Sequence, residues 1–114
     1  MIIGKRFYFD AAHNLPGHSG KCKNIHGHTY TLDVEVFGQI DTETRMLMDL
    51  HKLDEIVTEV LNIFDHKDLN LLTDFTTCEN LARILKKHIS EALPDGILLQ
   101  EIKLQEGKGG WAKC

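Results

Sequence analysis

The stretch "HTYTLDVEVFG" limits what this chain can become more than any other segment. Tyr30, Leu32, Val34 and Val36 point one way, and Thr29, Thr31, Asp33 and Glu35 the other. That period of two marks a strand with one buried face and one wet face. The dry face needs an apolar cover. In "DLHKLDEIVTEVLNIF", Leu50, Leu53, Val57, Val60, Leu61 and Phe64 form a helical stripe at 3,4 spacing, with Asp49 as N-cap. In "TTCENLARILKKHISEAL", Leu81, Ile84, Leu85, Ile89 and Ala92 form another, and Thr76 with Glu79 has the spacing of a capping box.

The remaining segments fit around that frame. Residues 2–10 are aromatic and β-prone, and the loop "AAHNLPGHSGKCKNI" follows, with Pro16, Gly17 and Gly20 as breakers. After the turn "QIDTETR", the segment "MLMD" reads as a short returning strand. "ILLQEIKLQE" alternates, with Leu98, Ile102, Leu104 and Glu106 in one parity, and "WAKC" is a short final strand. Strands and helices are segregated along the chain. The expected fold is therefore α+β: an antiparallel four-stranded sheet with two helices on one face. Its free edges call for partners, so an oligomer is expected.

The 114 residues suit a single domain, 1–114. A net charge of -4 argues against a nucleic-acid binder. No apolar run approaches the ~20 residues that span a bilayer, which argues against a membrane protein. "MIIGKRFYFD" lacks the apolar core of a secretory leader, and three irregularly spaced cysteines make no disulfide framework. The expectation is a cytoplasmic protein. The 7 histidines are the compositional oddity, so they are where chemistry is sought.

In "CKNIHGH", His26 and His28 are two apart at the head of the alternating strand, so both project to the Tyr30 face. Gly27 between them adds no side chain to crowd the pair. Two close imidazoles repel when protonated, and a divalent metal, which binds neutral imidazole, removes the conflict. His13, after the first strand, is the best third ligand. Three nitrogens leave one tetrahedral position open, the catalytic pattern for zinc. Iron, nickel and copper also accept imidazole, and two surface histidines at a strand start are the plain alternative.

Cys22 lies between Lys21 and Lys23, surroundings that favour thiolate, and can serve as nucleophile, base or ligand. Asp65 and His66 in "FDHKDLN" offer a carboxylate to orient an imidazole, or simply a histidine at a helix C-terminus. Glu106 shares the core parity of its strand, which is costly unless a ligand's N–H groups or a lysine satisfy it, or unless the strand end frays into solvent. His18, His51 and His88 read as surface residues.

Together, "FDAAHNL", "GKCKNIHGHTY", "MLMDL", "FDHKDLN", "TTCENLA" and "LQEG" resemble, in that order, the 6-pyruvoyl-tetrahydropterin synthase / 6-carboxytetrahydropterin synthase family. The resemblance runs from His13 to Glu106. It implies the tunnelling fold, with trimers closing into an oligomeric barrel and two trimers stacking as a homo-hexamer with sites at subunit interfaces. It implies His13, His26 and His28 as Zn2+ ligands and Cys22 as the proton-abstracting base. Asp65 and His66 would complete the relay from a neighbouring subunit. Glu106 would anchor the pterin, and Thr77 and Glu79 would line its pocket. Arg45 stands where a turn glycine is common, and Gly107 where a threonine often follows the glutamate.

Three residues separate Cys22 from His26, which resembles the 6-carboxytetrahydropterin synthases of the queuosine and 7-deazapurine pathway. The reaction so implied is a lyase reaction. It converts 7,8-dihydroneopterin triphosphate to 6-carboxy-5,6,7,8-tetrahydropterin, releasing acetaldehyde and triphosphate. The alternatives are a 6-pyruvoyl-tetrahydropterin synthase eliminating triphosphate, an aldolase-type relative, and a zinc-binding module without chemistry.

Overall fold

The computed structural model describes residues 1–114. Its elements are β1 (Ile2–His13), β2 (His26–Phe37), α1 (Leu50–Leu61), β3 (Lys67–Asp68), α2 (Cys78–Ala92), β4 (Leu98–Glu106) and β5 (Trp111–Lys113). The strands form one sheet in the order β3-β1-β2-β4-β5. β1–β2, β2–β4 and β4–β5 are antiparallel, while β3 pairs parallel with β1 through Ala11–Lys67 and Ala12–Asp68. The sheet is thus five-stranded and mixed, where four antiparallel strands were expected. A two-residue strand has no periodicity to read, so β3 left no trace in the sequence pattern.

The inward face of the sheet carries Phe7, Phe9 and Ala11 from β1, Tyr30, Leu32, Val34 and Val36 from β2, and Ile102 and Leu104 from β4. Leu53, Val57, Val60 and Leu61 of α1 and Leu81, Ala82, Leu85 and Ile89 of α2 close over that face in one core cluster. Leu85 is fully buried, and truncating it to alanine would cost about 2–5 kcal/mol. Leu50 and Ala92, at the ends of their stripes, remain exposed.

Four further expectations are corrected. "MLMD" is not a strand; the chain turns there instead, with Arg45 left-handed at φ 60° and Asp41 N–H donating to the Met46 carbonyl at 2.9 Å. β1 runs on to His13, because Ala11, Ala12 and His13 pair with His28, Gly27 and His26. The cap of α2 is Thr77, whose hydroxyl accepts from Asn80 N–H, while Thr76 is fully buried and donates to the Asn14 carbonyl at 3.0 Å. In β4 the register with β2 slips beside Glu35 and Val36, so Gln100 is unpaired. That bulge inverts the parity upstream, and Leu98 faces out while Leu99 packs on the core.

Candidate functional site

β1 and β2 run antiparallel, and their register sets His13 directly opposite His26 and Ala11 opposite His28. Strand alternation turns all three histidines to the inward face, just beyond Tyr30. Ring centroids are 4.6 Å apart for His13–His26, 5.2 Å for His13–His28 and 4.9 Å for His26–His28. One nitrogen from each lies within 4.8 Å of the others, which makes the trio a candidate metal-binding cluster. Gly27 plays no part in making that room. Its missing side chain would point to the outward face, where a Cβ would meet only the Ala11 carbonyl at 3.6 Å.

The hydrogen bonds fix how two of these rings present themselves. His13 Nδ1 lies 2.9 Å from the Thr76 carbonyl, and His26 Nδ1 lies 2.8 Å from the Asn24 carbonyl. A carbonyl only accepts, so Nδ1 is the donor in both rings, and in the neutral tautomer this leaves the lone pair on Nε2. His13 Nε2 is buried with no protein partner. An orphaned buried lone pair among imidazoles held by backbone carbonyls is the donor set that zinc and similar divalent ions take. Burial holds the His28 pKa below its ordinary value; the Glu106 charge opposes this, and His13 and His26 add to the lowering. The cluster therefore favours the neutral, ligating form of His28.

Glu106 ends β4 directly opposite Tyr30 of β2, half-buried on the same inward side as the histidines. Its carboxylate makes no hydrogen bond or ion pair within the chain. Tyr30 is fully buried and its hydroxyl also has no protein partner. Cys78, the first residue of α2, donates its thiol to the Leu104 carbonyl at 3.3 Å, and burial with the nearby Glu106 charge pushes its pKa up to about 11. Thr77 and Glu79 flank it, both exposed at the N-terminus of α2.

Cys22 lies in a single 3-10 turn, Lys21–Lys23, half-buried as a free thiol. The turn is tied back by Leu15 N–H donating to the Cys22 carbonyl at 2.7 Å. Its sulfur is not one of the atoms within the 4.8 Å histidine set. Lys21 and Lys23 beside it are exposed. Two other cations near the first strand are already engaged: Lys5 with Asp54 at 2.8 Å and Arg6 with Asp33 at 2.6 Å.

Asp65 and His66 touch, with His66 Nδ1 2.9 Å from Asp65 Oδ1. They lie on the other side of the sheet from the three histidines, with the outward-facing Asp10 and Thr29. Asp65 Oδ1 accepts the Asp10 backbone N–H at 2.9 Å, and that bond chiefly holds the Asp65 pKa below the usual carboxylate range. His66 has φ 57°, and its backbone N–H donates to the Asp10 carbonyl at 2.6 Å. Asp10, Asp65 and His66 each place a ligand atom within 4.8 Å of the others. One chain therefore gathers the histidine trio, Tyr30, Glu106 and Cys78 on one side, and the Asp65–His66 pair on the other.

The sequence pattern did not point to Asn14 and Asn70, and it offered Thr76 only as a helix cap. Asn14 N–H donates to Asn70 Oδ1 at 2.8 Å, Asn70 Nδ2 returns to the Asn14 carbonyl at 2.9 Å, and Thr76 Oγ1 joins the same carbonyl. This knot holds the carbonyl that orients His13. Asn14 is more than fifty residues from both Asn70 and Thr76, so no local signal joins them.

The match to a model of known families covers residues 2–114, and that model is the 6-pyruvoyl tetrahydropterin synthase family. A protein of Archaeoglobus fulgidus, provisionally assigned as a 6-carboxy-5,6,7,8-tetrahydropterin synthase, is 38% identical over 113 residues, 99% of this chain and 94% of that one. A dihydroneopterin monophosphate aldolase of Pyrococcus furiosus is 36% identical over 102 residues, 90% of this chain and 86% of that one. The structure of Caenorhabditis elegans 6-pyruvoyl tetrahydropterin synthase superposes with a TM-score of 0.90 at 25% identity, over 100% of this chain and 94% of that one. With its fold, its histidine trio and its full-length match in agreement, this chain belongs to the 6-pyruvoyl tetrahydropterin synthase family.

Proposed function

We propose that the chain is a zinc-dependent 6-carboxytetrahydropterin synthase. It takes 7,8-dihydroneopterin triphosphate and water to 6-carboxy-5,6,7,8-tetrahydropterin, acetaldehyde and triphosphate. The observation that carries this reading is the convergence of His13, His26 and His28, with three residues between Cys22 and His26 in a chain of this family. The Archaeoglobus relative supports the same choice of product. His13, His26 and His28 would hold the zinc, which when bound supplies Lewis acidity beside the substrate's side-chain oxygens.

The protein's own groups do the rest. Glu106 accepts the pterin N–H groups, with Thr77 and Glu79 along the pocket. Cys22, as thiolate, takes a side-chain proton as base. Asp65 holds the His66 ring, and His66 passes protons as the double bond moves and triphosphate leaves. The family resemblance assigns this pair to the site of a neighbouring subunit, and its place across the sheet from the histidine trio of its own chain supports that assignment. The hexamer of two trimers would bring the two together, and exposed apolar side chains such as Ile25, Leu71 and Phe75 offer surface for it to bury.

The Pyrococcus relative supports a second reading, aldolase-type cleavage in the same pocket. Product analysis separates the two. The zinc-loaded chain is incubated with 7,8-dihydroneopterin triphosphate, and products are identified by mass spectrometry. Acetaldehyde and 6-carboxytetrahydropterin in equal amounts are expected. A 6-hydroxymethyl or 6-pyruvoyl pterin as sole product contradicts the assignment, and no turnover at all favours a binding module.

A further inference from the structure

We propose that Tyr30 is a positioning residue for the pterin anchor: its hydroxyl donates to the Glu106 carboxylate when a pterin is seated there. The inference rests on the pterin reading above and deepens it. Tyr30 is 0% exposed, and its hydroxyl has no protein partner. A phenylalanine would fill the same space without burying an unpaired O–H, so packing alone gives no reason for the oxygen.

The ring cannot swing away to relieve it. It stacks on Phe9 at 4.8 Å and 7°, and meets His28 edge-on at 5.6 Å and His13 at 6.2 Å. The hydroxyl must therefore find its acceptor where it stands. Glu106 is its direct cross-strand partner, on the same face and likewise without a hydrogen bond. Directly opposed side chains on neighbouring strands are within reach of one another. The other donor nearby, the Cys78 thiol, is already committed to the Leu104 carbonyl.

A carboxylate offers about four lone-pair sites. Pterin N–H groups can use one edge and leave another for Tyr30. The resulting O–H···carboxylate bond is charge-assisted, and it fixes the direction in which Glu106 meets the ligand. Ligand binding and hydroxyl satisfaction are then one event, which is why the oxygen is unpartnered in the free chain.

The test compares wild type with Tyr30→Phe in the full zinc-loaded chain, with 7,8-dihydroneopterin as the probe. Tyr30→Phe is expected to weaken binding about tenfold, as for loss of one charge-assisted bond. KM for the triphosphate should rise while kcat holds. The ligand-free melting temperature should stay the same or rise, because the lost oxygen had no partner. A crystal structure with the probe should place Tyr30 Oη about 2.5–3.0 Å from a Glu106 oxygen. Undiminished binding by Tyr30→Phe, a lowered ligand-free melting temperature, or Oη bonded to the pterin instead of Glu106 overturns the inference. Failure of the wild type itself to bind any pterin overturns the functional reading first, and this inference with it.

Discussion

Two cysteines of this chain have opposite surroundings, and their reactivity should differ accordingly. Cys78 is half-buried, donates to a carbonyl and has its pKa pushed up to about 11, so near neutrality it stays a thiol. Cys22 stands in a turn between two exposed lysines. With iodoacetamide at pH 8, peptide mapping should find Cys22 modified well before Cys78, and the Cys78 rate should climb with pH through a midpoint at about 11. Equal rates at pH 8 would contradict this. The raised value also means that Cys78 supports the fold fully below the ordinary thiol range, and that this support is lost as pH rises toward 11. Residues differ in how legible they were. His26 and His28 announced themselves by spacing, and His13 by strand pairing. Tyr30 read as one more core residue, because its parity says nothing about where its hydroxyl ends. The carbonyls that orient His13 and His26 were invisible, since a backbone oxygen leaves no mark on composition.

Among the elements, the short connection between α1 and β3 carries a strained residue beside the candidate site. His66 sits at φ 57°, a left-handed conformation that costs a side-chain-bearing residue about 1–2 kcal/mol. The Asp10 backbone clamps it from both sides, through Asp10 N–H to Asp65 and His66 N–H to the Asp10 carbonyl. His66→Gly should therefore be more stable than His66→Ala by about 1 kcal/mol in denaturant titration. Both variants should lose turnover, because the imidazole is gone. Equal stability would mean the strain is absent. The long elements were readable because twelve or more residues repeat a period: β2 at two, α1 and α2 near 3.6. What failed was short, at most the four residues of "MLMD". β3 is two residues long, the β4 bulge is one, and the α2 cap moved by one from Thr76 to Thr77.

As a whole the molecule is long and thin, 55 × 21 × 20 Å, with a radius of gyration of 15.4 Å against about 13 Å for a compact chain of this size. The β1–β2 ladder of twelve residues spans about 40 Å. Leu71 and Phe75 are 84% and 72% exposed, and both edge strands are short. Such a shape leaves apolar area and sheet edges for other copies to cover. Sedimentation equilibrium should give a hexamer mass, and Phe75→Asp should shift it toward smaller species with a parallel loss of turnover. A monomeric, active wild type would contradict the shared site. No helix is long and apolar enough to cross a membrane. The α+β class was legible from segregated strands and helices. The parallel edge at β3 was not, because pairing between residues 11–12 and 67–68 is set by the tertiary fold.

The convergence of three imidazoles on one ion is the claim on which the chemistry rests. Elemental analysis of purified wild type and a His28→Ala variant tests it most directly. One zinc per chain in the wild type, lost from a variant that keeps its far-ultraviolet circular dichroism, is the expected result. A wild type that takes up no stoichiometric metal, or a folded variant that keeps its full complement, would contradict it.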